Sequence, residues 1–155
     1  MDLAAHPPSS ISENEYWHGV KIIHPSIPVQ DSSLAARYLM EQVYYPFNSF
    51  LQEEFVVLIL DSKHAIRYQI ILYRGTINTV VVRISEVFRE AVRFNAFALL
   101  IAHNHPSGQA IPSEEDIALT KNIYQAGELL DIALLDHIII GNNQWVSLKH
   151  MGYIV

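Results

Sequence analysis

At 155 residues the chain fits one domain around a single core, and with half its residues hydrophobic and 17% charged it has too little charge for a wholly disordered chain. Ten basic against sixteen acidic side chains leave a net charge of −6, which argues against a broad phosphate-binding face and against tight nucleic-acid binding. The absence of cysteine excludes disulfides, thiol nucleophiles and thiolate metal sites, so any metal must be held by His, Asp or Glu, and eight histidines make that search worthwhile.

Met1 to Ser10 has no basic stretch leading into an apolar core, and the longest apolar runs, such as Ala96 to Ala102, fall far short of the ~18 residues needed to span a bilayer. The expectation is a cytoplasmic protein with no membrane segment. Residues 1–30 read as a mobile or extended lead-in: the first 15 lack periodicity, and the prolines of His24-Pro25-Ser26-Ile27-Pro28 disfavour helix at the residues before them. The domain proper is expected over 31–155. Asp31 can cap a helix over Ser32–Tyr45, with Ala35, Leu39 and Val43 on one stripe and Pro46 as the stop.

Phe55–Leu60 is apolar on both faces, as in a strand covered on two sides, and Asp61-Ser62-Lys63-His64 turns it into a second strand over Ala65–Tyr73. A third strand is expected near Thr79–Arg83, antiparallel to these. Ser85 can cap a short helix with Val87, Phe88, Ala91 and Val92 inside and Glu86, Arg89, Glu90 and Arg93 outside. Ala96–Ala102 reads as a buried strand and Ser113 to Leu130 as a helix with Leu119, Ile123, Ala126 and Leu130 on its stripe. Ile132–Ile140 then turns at Gly141-Asn142-Asn143 into Gln144–Leu148. Strands interleaved with three helices indicate a layered α/β domain with a mixed sheet.

The chemistry sits in His103-Asn104-His105-Pro106, followed by Ser113 and Asp116. In extended backbone residues two apart point the same way, so His103 and His105 can offer both imidazoles to one ion. Pro106, Gly108 and Pro112 turn the chain, which lets Asp116 in the first turn of the next helix add a carboxylate oxygen. Two His and one carboxylate leave a fourth position for water, the pattern of a catalytic zinc. On its own, Ser113-Glu114-Glu115-Asp116 also reads as a helix capping box, and a lone His-x-His pair as core or surface residues. The conjunction H-x-H-P-x₆-S-x-x-D is more informative than either part, with a chance occurrence on the order of one in ten thousand.

This frame resembles the JAMM metalloprotease signature of JAB/MPN domains. The string His103 to Gly108, with Pro112-Ser113 and Leu135-Asp136-His137, is similar to the bacterial RadC-like branch, over roughly Glu53 to Ile154. The resemblance implies a three-layer α-β-α mixed sheet like that of the cytidine deaminases. It also implies Zn2+ on His103, His105 and Asp116, and a hydrolase that attacks an amide, peptide or isopeptide bond with a metal-activated water. The substrate would be a peptide, a protein or a ubiquitin-like conjugate. Its mechanism needs a glutamate base from an earlier strand. Glu53 and Glu54 fall on opposite faces of that strand and periodicity does not choose between them; the family pattern Glu-x-Phe, read with Phe55, selects Glu53. Ser113 would cap the helix and donate its hydroxyl to the oxyanion.

Ile84-Ser85-Glu86-Val87 departs from the family's usual Pro-Arg-Glu-Val, so no role is carried over for that arginine. RadC proteins often carry a helix-hairpin-helix region ahead of this domain, and the first 50 residues are too short for it plus a leading helix, which suggests a short stand-alone form. Asp136 and His137 lie in an apolar strand as supports of the metal site or as a satisfied core pair, the latter favoured. His6, His18, His24, His64 and His150 lack ligand spacing and read as surface residues.

Rival sites fit less well. An HNH nuclease spreads its named residues over a hairpin and helix, and a metallo-β-lactamase needs H-x-H-x-D-H, where Ser107 stands at the Asp position. The alternatives of another class are a RadC-type accessory in DNA repair or recombination and a non-catalytic MPN interaction module. The latter loses ligands that this chain keeps.

Overall fold

The computed structural model describes residues 16–17, 19–75 and 82–155. Its strands are β1 (Tyr16–Trp17), β2 (Val20–Pro28), β3 (Glu53–Leu60), β4 (Ala65–Gly75), β5 (Ala98–Asn104), β6 (Ala133–Gly141) and β7 (Gln144–Ser147). Its α-helices are α1 (Ser32–Tyr38), α2 (Ile84–Arg93) and α3 (Glu114–Leu130). Among the described residues these seven strands make one sheet in the order β1-β2-β4-β3-β5-β6-β7. Every neighbouring pair is antiparallel except β5 and β6, which run parallel with α3 as their crossover.

Alternation along the central strands sorts the core into two layers. Val56, Leu58 and Leu60 of β3 and Ala98, Leu100 and Ala102 of β5 face α1. Phe55, Val57 and Ile59, with Leu99 and Ile101, face α2 and α3. Burial on both faces explains why these strands read as unbroken apolar runs. The result is the expected three-layer α-β-α mixed sheet.

Several boundaries differ from the sequence reading. β2 is extended, as the prolines imply, but it also pairs with β4, and three extra residues between Ile22 and Ile27 bulge out of register around Pro25. Asp31 caps α1 by accepting from the Leu34 N–H at 2.9 Å. The helix then widens into a π-helical turn over Leu39–Val43, closed by Tyr44 N–H to Leu39 C=O at 2.8 Å. A wider turn brings positions five apart onto one side, and Leu39 and Tyr44 are both buried.

The strand expected near Thr79–Arg83 lies for the most part outside the described residues, and Val82 and Arg83 are not in a strand. Arg83, without a side-chain cap bond, occupies the N-cap of α2, so Ser85 sits in the first turn instead of capping it. The inward face of α2 is Val87, Phe88, Glu90 and Ala91, while Val92 is exposed. Glu90 lies at the edge of the apolar arc, one turn from Val87 and from Phe94, and meets Arg89 at 3.3 Å and Arg93 at 3.4 Å. On α3 the buried stripe is Asp116, Thr120, Ile123 and Gly127, and Leu130 is outside it. β5 starts and ends two residues later than expected, and its later end places His103 within the strand.

Candidate metal centre

The site forms where the C-terminal end of β5 meets the N-terminus of α3. His103, with no exposed surface, faces the α3 side beside Phe55, whose ring stacks on it with centroids 6.3 Å apart. His105 follows just beyond the strand, its N–H bonded to the Ile140 carbonyl at 2.9 Å. The loop then returns to α3 against the β6-β7 hairpin. Asn142 N–H donates to Gly108 C=O at 2.8 Å, and Ala110 N–H to Gln144 Oε1 at 3.1 Å. Gly141 permits this approach: a Cβ there would lie 2.4 Å from Gly108 O and 2.9 Å from Ala110 N.

Asp116 is the third residue of α3 and serves two tasks. It completes a capping box, with Ser113 Oγ accepting from Asp116 N–H at 3.1 Å and Asp116 Oδ2 accepting from Ser113 N–H at 2.9 Å. The same carboxylate is nearly inaccessible to solvent and points at both imidazoles, Oδ1 3.2 Å from His103 Nε2 and Oδ2 3.4 Å from His105 Nε2. The two Nε2 atoms are 3.0 Å apart, and one ligand atom from each of the three residues lies within 4.8 Å of the others. The capping box and the ligand set therefore share Asp116.

The electrostatics follow from that convergence. Burial pushes the Asp116 carboxyl up, but the pull of His103 and His105 outweighs it and holds the group well below the usual carboxylate range. Burial pushes His105 down, but Asp116, the Gln109 carbonyl and the charge of Glu53 leave it above the ordinary imidazole value. His105 Nδ1 lies 3.0 Å from that carbonyl, which can only accept, so Nδ1 carries hydrogen and Nε2 presents a lone pair when the ring is neutral. A carboxylate facing such a lone pair calls for positive charge between them, a proton or a metal ion. With two imidazole nitrogens and a buried carboxylate oxygen, the donor set fits a divalent transition metal.

The sequence pattern of the family described as RadC-like JAB domain matches residues 29–153. The chain belongs to that family. A UPF0758 protein of Chloroflexus aggregans is 50% identical over 101 residues, 65% of this chain and 44% of the relative. One from Bacillus cereus is 43% identical over 119 residues, 77% of this chain and 51% of the relative. One from Staphylococcus epidermidis is 46% identical over 102 residues, 66% and 45%. This RadC-like JAB chain thus spans about half the length of the relatives it matches.

Of the sequence candidates, the structure of this RadC-like JAB domain brings His103, His105 and Asp116 together and puts Ser113 one capping bond away. Phe55 pairs with His103, so Glu53, two residues earlier, is on the same face as His103 and on the side toward His105. Glu54 faces away, paired with Arg74 at 2.9 Å.

Three further residues shape the site. Asn104 points to the opposite face and fastens the backbone on both sides of Glu53, accepting from Glu54 N–H at 2.7 Å and donating to Gln52 C=O at 3.1 Å. Its alternation between the two histidines was visible in sequence, its partners were not. His137 on β6 contacts His103, Nε2 to Nδ1 at 2.8 Å, and Thr120 on α3 contacts His137 at 2.6 Å. Thr120 is four residues beyond Asp116 and hence on its helical face, a signal the apolar stripe obscured. Asp136 belongs elsewhere: it faces α1 and accepts from Ser32, Ser147 and the N–H groups of His137 and Lys149.

Proposed function

We propose that this domain is a zinc-dependent hydrolase of the JAMM type that cleaves an amide, peptide or isopeptide bond. The observation that carries the reading is the convergence of His103, His105 and Asp116 with Glu53 on the same face. Zinc held by these three residues would supply Lewis acidity and lower the pKa of a water at the site. Glu53 takes a proton from the water that adds to the substrate carbonyl carbon and passes it to the departing amine as the C–N bond breaks. Ser113 uses an oxygen lone pair for the cap, which leaves its hydroxyl hydrogen for the carbonyl oxygen as negative charge develops there.

The substrate class is a peptide, a protein or a ubiquitin-like conjugate, met in the cytoplasm. No described helix is long and apolar enough to cross a membrane. The basic cluster of Arg83, Arg89 and Arg93 supports a protein substrate over nucleic acid, because each arginine contacts a glutamate of α2. The test couples elemental analysis of purified protein to a screen of peptide and isopeptide substrates, with Glu53→Gln alongside. The reading expects about one zinc per chain and cleavage that the variant loses. A zinc-loaded wild type that cleaves nothing in such a screen, or a Glu53→Gln protein as active as wild type, would overturn it.

A further inference from the structure

The buried pair of Thr120 and His137 has no part in the reaction just described, yet it touches the site at both ends. Thr120 Oγ1 lies 2.6 Å from the carbonyl oxygen of Asp116 and 2.6 Å from His137 Nδ1, and His137 Nε2 lies 2.8 Å from His103 Nδ1. Thr120, His137 and His103 have no more than trivial exposure, so water does not complete these contacts.

The direction of each bond follows from counting protons. The Asp116 carbonyl has no hydrogen and accepts; Thr120 has one and donates it there. Thr120 can then only accept from His137, which fixes a hydrogen on His137 Nδ1. A neutral His137 therefore shows a lone pair at Nε2, and His103 must supply the hydrogen between the rings from its own Nδ1. His103 Nε2, the atom 3.2 Å from Asp116, is left as the lone pair.

We infer that Thr120 and His137 are positioning residues that set the tautomer and ring orientation of His103, through a proton-ordered chain anchored on the backbone carbonyl of Asp116. The inference rests on His103 being a metal ligand. It assigns the supporting role that a carboxylate or carbonyl often plays behind a ligating histidine to a second imidazole, itself oriented by a hydroxyl. The chain leaves one residue of the ligand set and ends on another, so it ties the strand that carries His103 to the helix that carries Asp116.

The decisive substitution is Thr120→Val, which keeps side-chain shape and removes the hydroxyl, with Thr120→Ser as the conservative partner. Two readouts apply: ring-nitrogen NMR shifts of His103 and His137 in metal-free protein at about pH 8, above the ordinary imidazole range, and zinc affinity by competition with a chelator. In wild type both histidines are expected as Nδ1–H tautomers. Thr120→Val should release His137 to its Nε2–H form, drive His103 out of its ligand-ready tautomer and weaken zinc binding about 10- to 100-fold; Thr120→Ser should retain both properties.

Wild-type His137 as an Nε2–H tautomer, or a Thr120→Val protein with unchanged tautomers and zinc affinity, would overturn the inference without reference to any substrate. Hydrolysis is not among the readouts. A chain that binds zinc through this relay and cleaves nothing therefore overturns the hydrolase reading and upholds the relay.

Discussion

Asp116 and Asp136 are each 2% exposed and lie on opposite faces of the sheet, and their surroundings differ in kind. Asp136 is enclosed by donors: Ser32 Oγ at 2.5 Å and Ser147 Oγ at 2.6 Å on one oxygen, with the N–H groups of His137 and Lys149 at 2.7 and 3.1 Å on the other. It joins the start of α1, β6 and the turn after β7, and its charge is spread over hydrogen bonds. Asp116 accepts one backbone N–H from Ser113 and otherwise faces two imidazoles. A buried carboxylate among donors holds the fold together, whereas one among imidazole nitrogens is a place for a cation.

The largest effect that separates them is metal content. Asp116→Asn, His103→Ala or His105→Ala should reduce zinc from about one per chain to near none, while Asp136→Asn should keep the zinc. The stabilities should separate in the other direction, because an amide NH2 in place of a carboxylate oxygen leaves a buried donor unmet and costs roughly 1–3 kcal/mol. Elemental analysis and denaturant melts of the four proteins make the comparison. Equal zinc content in all of them would erase the distinction.

Next comes the pair of glutamates. Glu53→Gln should keep zinc and lose about 10²- to 10⁴-fold in turnover, since an amide does not take the proton. Glu54→Gln should stay within about 1 kcal/mol of wild-type stability, because its Arg74 partner is 62% exposed, and its rate should be unchanged. If Glu54→Gln is the inactive one, the face assignment is wrong by one residue.

Ser113 carries a smaller effect in two parts. Ser113→Ala should cost ~1 kcal/mol through the lost cap and ~10²- to 10³-fold in rate through the lost donor. Ser113→Asp should recover the stability but not the rate, provided its carboxylate does not capture the zinc. Thermal melts and rates at matched zinc content check this; an Asp variant as fast as wild type leaves Ser113 only the cap.

Asp61, in the β3-β4 turn, gives the solvent-facing counterpart of both buried acids. Slight burial acts to raise its pKa, and the N–H groups of Ala65 and Lys63 with the Arg67 guanidinium outweigh it and lower the pKa. A lowered folded pKa gives stability that is present above the unfolded value of ~3.9 and is lost as pH falls through the folded value. Wild type should therefore lose more stability than Asp61→Asn in denaturant melts taken from neutral pH down through that acid range, by a small margin.

Much of this was legible because the signals were local. Ser113 as the cap, the course of α3 and the two-residue turn at Asn142-Asn143 depend on neighbours a few residues away. The ligand frame was legible because one strand end and one helix start hold all three residues. What stayed hidden depended on register. The β5-β6 ladder slips at Leu99 and Leu100, with Leu99 opposite Leu134 but Leu100 opposite Asp136. That bulge at Leu135 turns His137 to the α3 face, whereas strict alternation from the inward-facing Leu134 would have sent it to the other. β2 escaped as a sheet strand because Pro25 sits in a bulge, and the turn of α2 that buries Glu90 depends on arginines beside it.

Because Asp116 closes the capping box and faces both imidazoles, the first turn of α3 and the ligand cluster rise and fall together. Fraying of that turn withdraws an oxygen from the cluster, and a cation seated there makes fraying costlier. Amide hydrogen exchange in the opening turn of this helix then becomes a gauge of occupancy, slowing at Asp116 and Ile117 as metal is added, with no substrate in hand.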